Sequence, residues 1–389
     1  MPVAYSRKSI FLARLLEVMT GAVKWIFLIG RRPKEGESQG PTIVLVEPFQ
    51  MGDVLSLSVM FEPLLSKFPE CKIVVWCHDR NRKVYEDDRR VSRVVSGRFF
   101  WSDRGTKRAS TRDWISIYRS VMEVRSLRPT VGVDARGEIR SQILLCLAGC
   151  RRRIGSRVYL SSNMTLRGFL LTDAPDTSGS GHRFEKNLQL LSPLLGDTPD
   201  LHLPAISRSG DPSKEEVRKV VVMHVGAGWE FRRWDSKCWR ELIDKLTESA
   251  GIRIILVEGP GEEEINEAIV RDLVRPVERI ATSLKELLSV VSSAALFVGL
   301  DSGPMHIATL MGIPTIGLFG PGDVELWRPL GPGGKAIHHT ESYNCHPCLQ
   351  KECVRPEDPC ISRIGVPEVY ESIQRSLGLE SENSKARMT

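Results

Sequence analysis

The chain has 389 residues, of which 41% are hydrophobic, and its formal net charge at pH 7 is +6. This length and apolar content predict two domains with ample cores. The positive excess is concentrated in residues 1–40, which hold seven Lys/Arg and three Asp/Glu. The nearly balanced remainder argues against a nucleic-acid partner. The nine cysteines are scattered, apart from four near the C-terminus, which indicates a reduced, cytoplasmic protein.

Residues 1–40 are predicted to form a basic amphipathic arm and a linker. Within the apolar run at residues 10–29, the charged residues Arg14, Glu17 and Lys24 fall on one stripe of a helix. Such a helix would lie in a membrane interface, with the basic residues of segment 7–32 contacting anionic lipid. A helix that spans the membrane or packs on the protein body remains an alternative.

Residues 41–205 are predicted to form the first α/β domain. Short apolar runs indicate buried parallel strands, and runs with helical apolar spacing follow them. The predicted strands are Thr42–Glu47, Lys72–Cys77, Val91–Val95, Thr130–Asp134 and one near Ile154, and the predicted helices include Val54–Phe68 and His182–Leu195.

The turn after the first strand places Gly52 and Asp53 at a strand–helix junction. Glycine permits close approach of the backbone to a ligand. Asp53 could be only the N-cap of the helix, a common role for aspartate. The functional alternative is a carboxylate that serves as a general base.

A second basic stretch occupies residues 98–112. Its default interpretation is a solvated loop. The alternative is a site for an anionic, phosphate-bearing acceptor.

Residues 206–377 are predicted to form the second domain, after a linker at Pro199–Pro212 and before a disordered tail at 378–389. The βα rhythm of the first domain continues here. The predicted strands are Lys219–His224, Ile252–Glu258, Arg279–Ile280, Ala294–Val298 and Pro314–Phe319.

Three glycine-containing turns follow strands of this second domain, at Gly226, Gly259 and Gly303. The carboxyl ends of parallel strands meet at one sheet edge, where backbone N–H groups and helix N-termini attract phosphate. The first turn also carries Arg232. Acidic residues at 262–264 would complement a helix dipole or bind ribose hydroxyls. Taken together, the three turns favour a nucleotide site.

With these residues in place, the chain resembles glycosyltransferase family 9, the ADP-heptose:lipopolysaccharide heptosyltransferases. The matching blocks run in order from about Ile43 to Val369. They are MGDV at 51–54, DARGEIRS at 134–141, HVGAGWEFRRW at 224–234, GPGEEE at 259–264, DSGPMHIA at 301–308 and GIPTIGLFGP at 312–321.

The resemblance implies an α/β protein of GT-B fold, in which two Rossmann-like, doubly wound parallel-sheet domains face each other across a cleft. The N-terminal domain would bind the acceptor and the C-terminal domain the nucleotide sugar. It implies that Asp53 is the catalytic base of an inverting, metal-independent transfer that requires no cofactor. Acceptor-binding positions are Gly52, Arg136 and Arg140, and donor-binding positions are Gly228, Arg232, Glu263 (or Glu262), Thr282, Asp301, Ser302, Gly303 and His306.

Two of these positions depart from the family pattern. Arg232 stands where the family has a phosphate-binding lysine, which preserves the charge but replaces a point donor by a fork. Arg136 stands where many members have glutamine, so the identity of the acceptor is open. The expected partners are a nucleotide-sugar donor and an anionic lipid-linked glycan, used by an enzyme peripheral at the inner face of the cytoplasmic membrane.

A cysteine cluster near the C-terminus is formed by Cys345, Cys348, Cys353 and Cys360. Its CxxC pair followed by two further cysteines could hold structural zinc. Free thiols or local disulfides are the alternative.

Two competing functions remain from the sequence. A Rossmann dehydrogenase is disfavoured because no G-x-G-x-x-G follows the first strand. A nucleotide-sugar-binding relative without turnover stays open.

Overall fold

The computed structural model describes residues 40–103, 108–156, 159–161, 164–165, 170–179, 181–204, 220–248, 251–341, 343–345, 348 and 352–379. The helix predicted at residues 10–29 and almost all of the predicted tail lie outside these ranges. The described residues divide into two compact units. One lies within Met1–Gly179 and Phe184–His202, and the other within Ser180–Arg183 and Leu203–Thr389.

The first unit is built on a five-stranded, wholly parallel sheet with the order β3-β2-β1-β4-β5. Its strands are β1 (Thr42–Glu47), β2 (Lys72–His78), β3 (Arg93–Gly97), β4 (Val131–Asp134) and β5 (Arg152–Gly155), and a separate hairpin joins β6 (Tyr159–Ser161) to β7 (Met164–Thr165). Its helices are α1 (Met51–Leu55), α2 (Phe61–Lys67), α3 (Thr111–Ser126), α4 (Ile139–Leu147), α5 (Arg183–Gln189) and α6 (Ser192–Leu195).

Burial on both faces explains why the central strands of this sheet read as continuous apolar runs. In β1, Ile43, Val44, Leu45 and Val46 are all fully buried. The helix predicted at Val54–Phe68 is only partly confirmed. It begins earlier, at Met51, and a 3₁₀ segment at Ser56–Met60 separates α1 from α2.

The second unit is built on a six-stranded parallel sheet with the order β10-β9-β8-β11-β12-β13. Its strands are β8 (Val220–His224), β9 (Arg253–Glu258), β10 (Glu278–Ala281), β11 (Leu296–Leu300), β12 (Thr315–Phe319) and β13 (Lys335–His338). Its helices are α7 (Ser236–Glu248), α8 (Glu263–Val270), α9 (Leu284–Ser292), α10 (Gly303–Leu310), α11 (Val324–Trp327) and α12 (Val366–Ser376). Fully buried Trp239 belongs to the core cluster of this unit, and Met305 is also fully buried.

Both sheets change winding direction at a central strand pair, β1/β4 in the first unit and β8/β11 in the second. In open α/β sheets, ligands bind beyond the carboxyl ends of strands at such a switch point. A ligand site is therefore expected at the turns that leave these four strands.

Within the described ranges, no helix has both the length and the apolar content needed to cross a bilayer.

Buried His182 makes the stability of the second unit sensitive to acid. Its Nε2 lies 3.0 Å from the carbonyl oxygen of Arg328. Burial, reinforced by neighbouring His306, lowers the pKa of His182 to about 3. An unfolded histidine has a pKa of about 6.5. Between these values the unfolded chain binds a proton that the folded chain excludes, so this contribution to stability is lost as pH falls through that window.

Between about pH 6.5 and 4, we expect the unfolding free energy of His182→Gln to fall less steeply with decreasing pH than that of the wild type. The slopes should differ by up to about 1.4 kcal/mol per pH unit. The glutamine amide can still donate to the Arg328 carbonyl. Urea unfolding across this range measures the slope, with the exposed His202→Gln as the matched control. An unchanged slope in His182→Gln would contradict the assignment.

Candidate functional site

The turn between β1 and α1 holds Asp53 in a buried, hydrogen-bonded position. Gln50 is the N-cap of α1, and its backbone N–H donates to Asp53 Oδ2 at 3.1 Å. The interpretation of Asp53 as an N-cap is therefore wrong: it occupies the third helical position and closes a capping box. The loop before it is fixed by Asn81 Nδ2, which donates to the Phe49 carbonyl at 2.7 Å. One carboxylate oxygen thus holds the backbone and the other can act elsewhere.

The second oxygen of Asp53 is paired with Arg136. The Arg136 Nη1 atom lies 2.5 Å from Asp53 Oδ1. The guanidinium also stacks on Phe49, with 4.2 Å between its central carbon and the ring centroid. Burial alone would lower the pKa of Arg136, but Asp53 and Glu47 raise it, so the side chain stays cationic. Two residues that the sequence singled out, 83 positions apart, are brought together.

The neighbouring strands β1 and β4 explain this meeting. Val46 pairs with Asp134 in the parallel register, so the turns that carry Asp53 and Arg136 leave adjacent strands. Arg136 is partly exposed, with 34% of its side-chain surface accessible. An incoming anion could therefore compete with Asp53 for the guanidinium.

The other two predicted acceptor positions lie at the starts of the helices that follow these turns, Gly52 in α1 and Arg140 in α4. Gly52 is the second residue of α1 and is half-buried. Arg140 is held separately, with its Nε atom 2.5 Å from Glu138 Oε1 and its guanidinium 5.1 Å from the centre of a Trp101 ring.

Sequence reasoning missed Asp134, which shapes the Arg136 turn. Its carboxylate is fully buried and accepts the backbone N–H groups of Arg136, Gly137 and Glu138 and the side-chain amide of Gln142. Burial raises the pKa of Asp134 to about 7, although these hydrogen bonds oppose the shift. A carboxylate at the end of a buried strand, directly before a glycine-containing turn, was the available signal.

The turn after β11 in the second unit brings three predicted donor-site residues together. Arg232 Nη1 lies 3.4 Å from Asp301 Oδ2, and His306 Nε2 lies 3.8 Å from Asp301 Oδ1. Gly303 begins α10, and its N-cap is Ser302. A Cβ atom added to Gly322 would lie 2.6 Å from Asp301 Oδ2, so a side chain at this position would displace the carboxylate. A cation and a helix N-terminus thus share one sheet edge, which suits a phosphate group.

His224 links this turn to the turn after β9. Its Nδ1 lies 3.1 Å from Ser302 Oγ, and its Nε2 lies 2.9 Å from Glu262 Oε2. The backbone N–H of Gly259 donates to the same glutamate oxygen at 2.8 Å. Burial alone would raise the pKa of Glu262, but these hydrogen bonds hold it below the ordinary value. Sequence reasoning named His224 only as a strand end and missed its bridging role.

The three glycine-containing turns contribute unequally to this network. Glu263 lies in the first turn of α8 and is exposed, with the Gly261 N–H donating to its Oε1 at 3.2 Å. Glu262, the alternative, is the glutamate that contacts His224. Thr282 donates from both its backbone N–H and its hydroxyl to the Glu258 carbonyl, at 3.0 and 3.2 Å. Gly228 is half-buried in the turn after β8.

The four cysteines of the C-terminal cluster line one cavity together with Tyr343 and Asp358. The structure shows no disulfide bond for any of these four cysteines. Burial raises the pKa of Cys360 to about 11, and the other three thiols contribute to the rise. Among the described residues, no group of three or more His, Cys, Asp or Glu is arranged to hold a metal ion. Structural zinc therefore stays a prediction.

Each of the two units has the doubly wound, parallel-sheet α/β fold that was predicted for a protein of the GT-B class. The sequence pattern of glycosyltransferase family 9 (heptosyltransferase) matches residues 119–357, more than half of the chain. The chain belongs to glycosyltransferase family 9.

Curated relatives agree with this membership. Lipopolysaccharide heptosyltransferase 3 of Escherichia coli is 23% identical over 294 residues, covering 72% of this chain and 83% of that protein. Lipooligosaccharide heptosyltransferase 2 of Campylobacter jejuni (serotype O:6) is 27% identical over 183 residues, covering 45% of this chain and 57% of that protein.

Solved structures share the fold. A family 9 glycosyltransferase from Veillonella parvula has a TM-score of 0.69 at 17% identity, covering 89% of this chain and 99% of that one. The E. coli heptosyltransferase WaaC with ADP has a TM-score of 0.66 at 19% identity, covering 86% and 99%.

Gly226 tests whether Glu262 is built into the site. A Cβ atom at Gly226 would lie 1.8 Å from Glu262 Oε1, so Gly226→Ala must displace this carboxylate from His224. We expect Gly226→Ala to lower the unfolding free energy by roughly 1–3 kcal/mol. In a Glu262→Ala background, the same change should cost far less, because its clash partner is gone. Urea unfolding of the four proteins gives the coupling, and additive effects would contradict the placement of Glu262.

Proposed function

We propose that this protein is an inverting heptosyltransferase that moves a heptose from ADP-heptose to a lipopolysaccharide-core or other lipid-linked glycan. The observation that carries the proposal is the convergence of Arg232, Asp301, Ser302, His224 and Glu262 at one sheet edge of a family 9 chain. Relatives named as lipopolysaccharide heptosyltransferases and the E. coli WaaC structure with ADP-2-deoxy-2-fluoro heptose support the choice of sugar and nucleotide.

The donor would bind at the carboxyl ends of β8, β9 and β11. Arg232 and the N–H groups at the start of α10 would neutralise the diphosphate. The ribose hydroxyls would bind a glutamate, either Glu263 or Glu262, and Thr282 would contact the nucleoside. Before the donor binds, the ion pair with Asp301 keeps the Arg232 guanidinium in place. The diphosphate would then replace Asp301 as the anionic partner of Arg232.

The transfer would be a single displacement with inversion. Asp53 takes the proton from an acceptor hydroxyl as that oxygen forms a bond to the anomeric carbon, and the bond from this carbon to the diphosphate oxygen breaks. The charge that develops on the departing ADP is stabilised by Arg232 and the helix N-terminus. These groups can do the work that a metal ion does elsewhere, so we propose that the reaction is metal-independent.

Arg136 would link acceptor binding to the base. Its guanidinium occupies Asp53 Oδ1, the oxygen that must receive the proton. A phosphate or carboxylate on the acceptor is a better partner for the fork of an arginine than a single carboxylate oxygen. Acceptor binding would then draw Arg136 away and leave Asp53 Oδ1 open to the hydroxyl. We propose an anionic acceptor on this ground, used at the cytoplasmic face of the membrane and approached with the arm at residues 7–32.

Replacing Asp53 tests catalysis separately from binding. We expect Asp53→Asn to lower the transfer rate at least about 100-fold, because the amide cannot accept the proton. Donor-induced thermal stabilisation should persist. Transfer is followed as the release of ADP from ADP-heptose in the presence of a lipopolysaccharide-core acceptor. Glu70→Gln, on the exposed surface, is the control. Transfer at the wild-type rate would exclude Asp53 as the base, whereas donor binding without transfer by the wild-type protein would favour a non-catalytic sugar-nucleotide binder.

Thermal shift identifies the donor, because a ligand that binds only the folded state raises its stability. We expect ADP-heptose to stabilise the full chain more than UDP- or GDP-sugars. Arg232→Gln should weaken ADP-heptose binding by about 10- to 100-fold, the range for a lost charged hydrogen bond. Arg232→Lys retains the charge and should lose less than about tenfold. Equal affinities for both variants would mean that Arg232 does not contact the diphosphate.

A further inference from the structure

Helix α3 carries a second apolar side that points away from the core. Its inward residues Ile117, Val121 and Val124 are buried. Its outward residues are among the most exposed large hydrophobic side chains, with accessible fractions of 57% for Trp114, 45% for Ile115, 64% for Tyr118 and 44% for Met122. Tertiary packing within the described chain therefore accounts for only one of the two apolar sides.

The outward side is a continuous surface. Residues 114, 118 and 122 recur at intervals of four and lie above one another on the helix. Leu147, which is 50% exposed, lies beside the C-terminal end of this helix, where its carbonyl oxygen accepts a hydrogen bond from Arg125 Nη1 at 3.0 Å. Five of the eight exposed large hydrophobic residues of the described chain lie here, so their grouping is not the scatter expected of a protein surface. We call these five residues the α3 face.

The exposed charged residues of helix α3 are all basic. Exposed Arg112, Arg119 and Arg125 lie on the outward arc of the helix. The acidic residues of α3 are already neutralised: Asp113 is paired with Arg98 at 3.0 Å, and Glu123 with Arg93 at 2.6 Å. The partner of this face must therefore offer negative charge around an apolar interior.

The aromatic residues narrow the choice of partner. Trp114 packs edge-on against Phe100, with 5.3 Å between ring centroids, so it is held in place while more than half of it stays exposed. Tryptophan and tyrosine flanked by arginine, with aliphatic residues between them, are the composition that settles at the boundary of lipid headgroups and acyl chains.

We infer that the α3 face docks on an anionic lipid bilayer. Trp114, Ile115, Tyr118, Met122 and Leu147 enter the headgroup boundary, and the three arginines bind lipid phosphates. This contact is distinct from the arm at residues 7–32. It orients the unit that holds Asp53 and Arg136 against the surface that would present a lipid-linked acceptor. The inference goes beyond the proposed transfer and does not depend on it, because vesicle binding is measured without donor or acceptor.

Vesicle binding of the full chain tests this surface. We expect Trp114→Ser/Tyr118→Ser/Met122→Ser to lower partitioning into vesicles of phosphatidylcholine with about 30% phosphatidylglycerol at least tenfold, from the apolar area removed. Arg112→Gln/Arg119→Gln should lower it by about fivefold per charge and should have little effect on vesicles of phosphatidylcholine alone. Val274→Ser is the control, because Val274 is 81% exposed on the other unit.

Depth-sensitive quenching separates this contact from binding through the arm. We expect brominated lipids to quench the wild-type fluorescence more than that of Trp114→Phe, which keeps an aromatic ring against Phe100. Equal quenching of the two proteins, or unchanged partitioning of the triple variant, would overturn the inference. Self-association that the triple variant abolishes, with vesicle binding intact, would also overturn it by assigning the face to a second copy of the chain.

Discussion

The parallel pairing of two central strands in each sheet is the constraint on which the site depends. In the first unit, β1 beside β4 sets the turn of Asp53 next to the turn of Arg136. In the second, Gly299 of β11 pairs with His224 of β8, so His224 lies beside the turn that carries Ser302. Hydrogen bonds of the sheet fix these neighbours before any side chain contributes. The grouping of these candidate residues within each unit thus follows from strand order.

Each unit has, at its switch point, an arginine that forms an ion pair with an aspartate. Arg136 with Asp53 and Arg232 with Asp301 are partly accessible to water. Solvent-exposed pairs contribute about 0–1 kcal/mol to stability. These two pairs lie between that case and full burial, because only the arginine of each pair is well exposed, at 34% for Arg136 and 32% for Arg232. A fully buried pair would be expensive to break. The intermediate burial keeps each guanidinium oriented and still exchangeable.

The fold was predictable because parallel strands buried on both faces leave short apolar runs. The prediction at Thr42–Glu47 matches β1, and that at Lys219–His224 contains the whole of β8 (Val220–His224). The same pattern could not show where a helix tightens, so the 3₁₀ segment at Ser56–Met60 interrupts what had been predicted as one helix. The periodicity that favours a helix does not distinguish i→i+4 from i→i+3 hydrogen bonding over a single turn.

Within the site, the sequence predicted the turns better than the side chains that act in them. Glu262 and Glu263 are adjacent residues of the same type, so the sequence cannot say which one contacts His224. In the structure it is Glu262, whose carboxylate lies in the space that the missing side chain of Gly226 leaves open. By residue type, Asp53 could be an N-cap or a base. One of its oxygens takes part in a local capping box with Gln50. The other pairs with Arg136, a long-range contact that only the tertiary structure shows.

Helix α3 illustrates the same limit from the opposite direction. Val121 and Val124 on its inner side and Tyr118 and Met122 on its outer side have similar apolar character, so periodicity alone cannot say which side is core. The structure buries the valines against β3 and its neighbours and leaves the larger residues exposed. Hydrophobic side chains that folding leaves in water are costly unless another surface covers them. The charged residues beside them are arginines. An anionic lipid surface would cover the apolar side chains and also pair with these arginines, whereas a neutral partner would leave the arginines without a counter-charge.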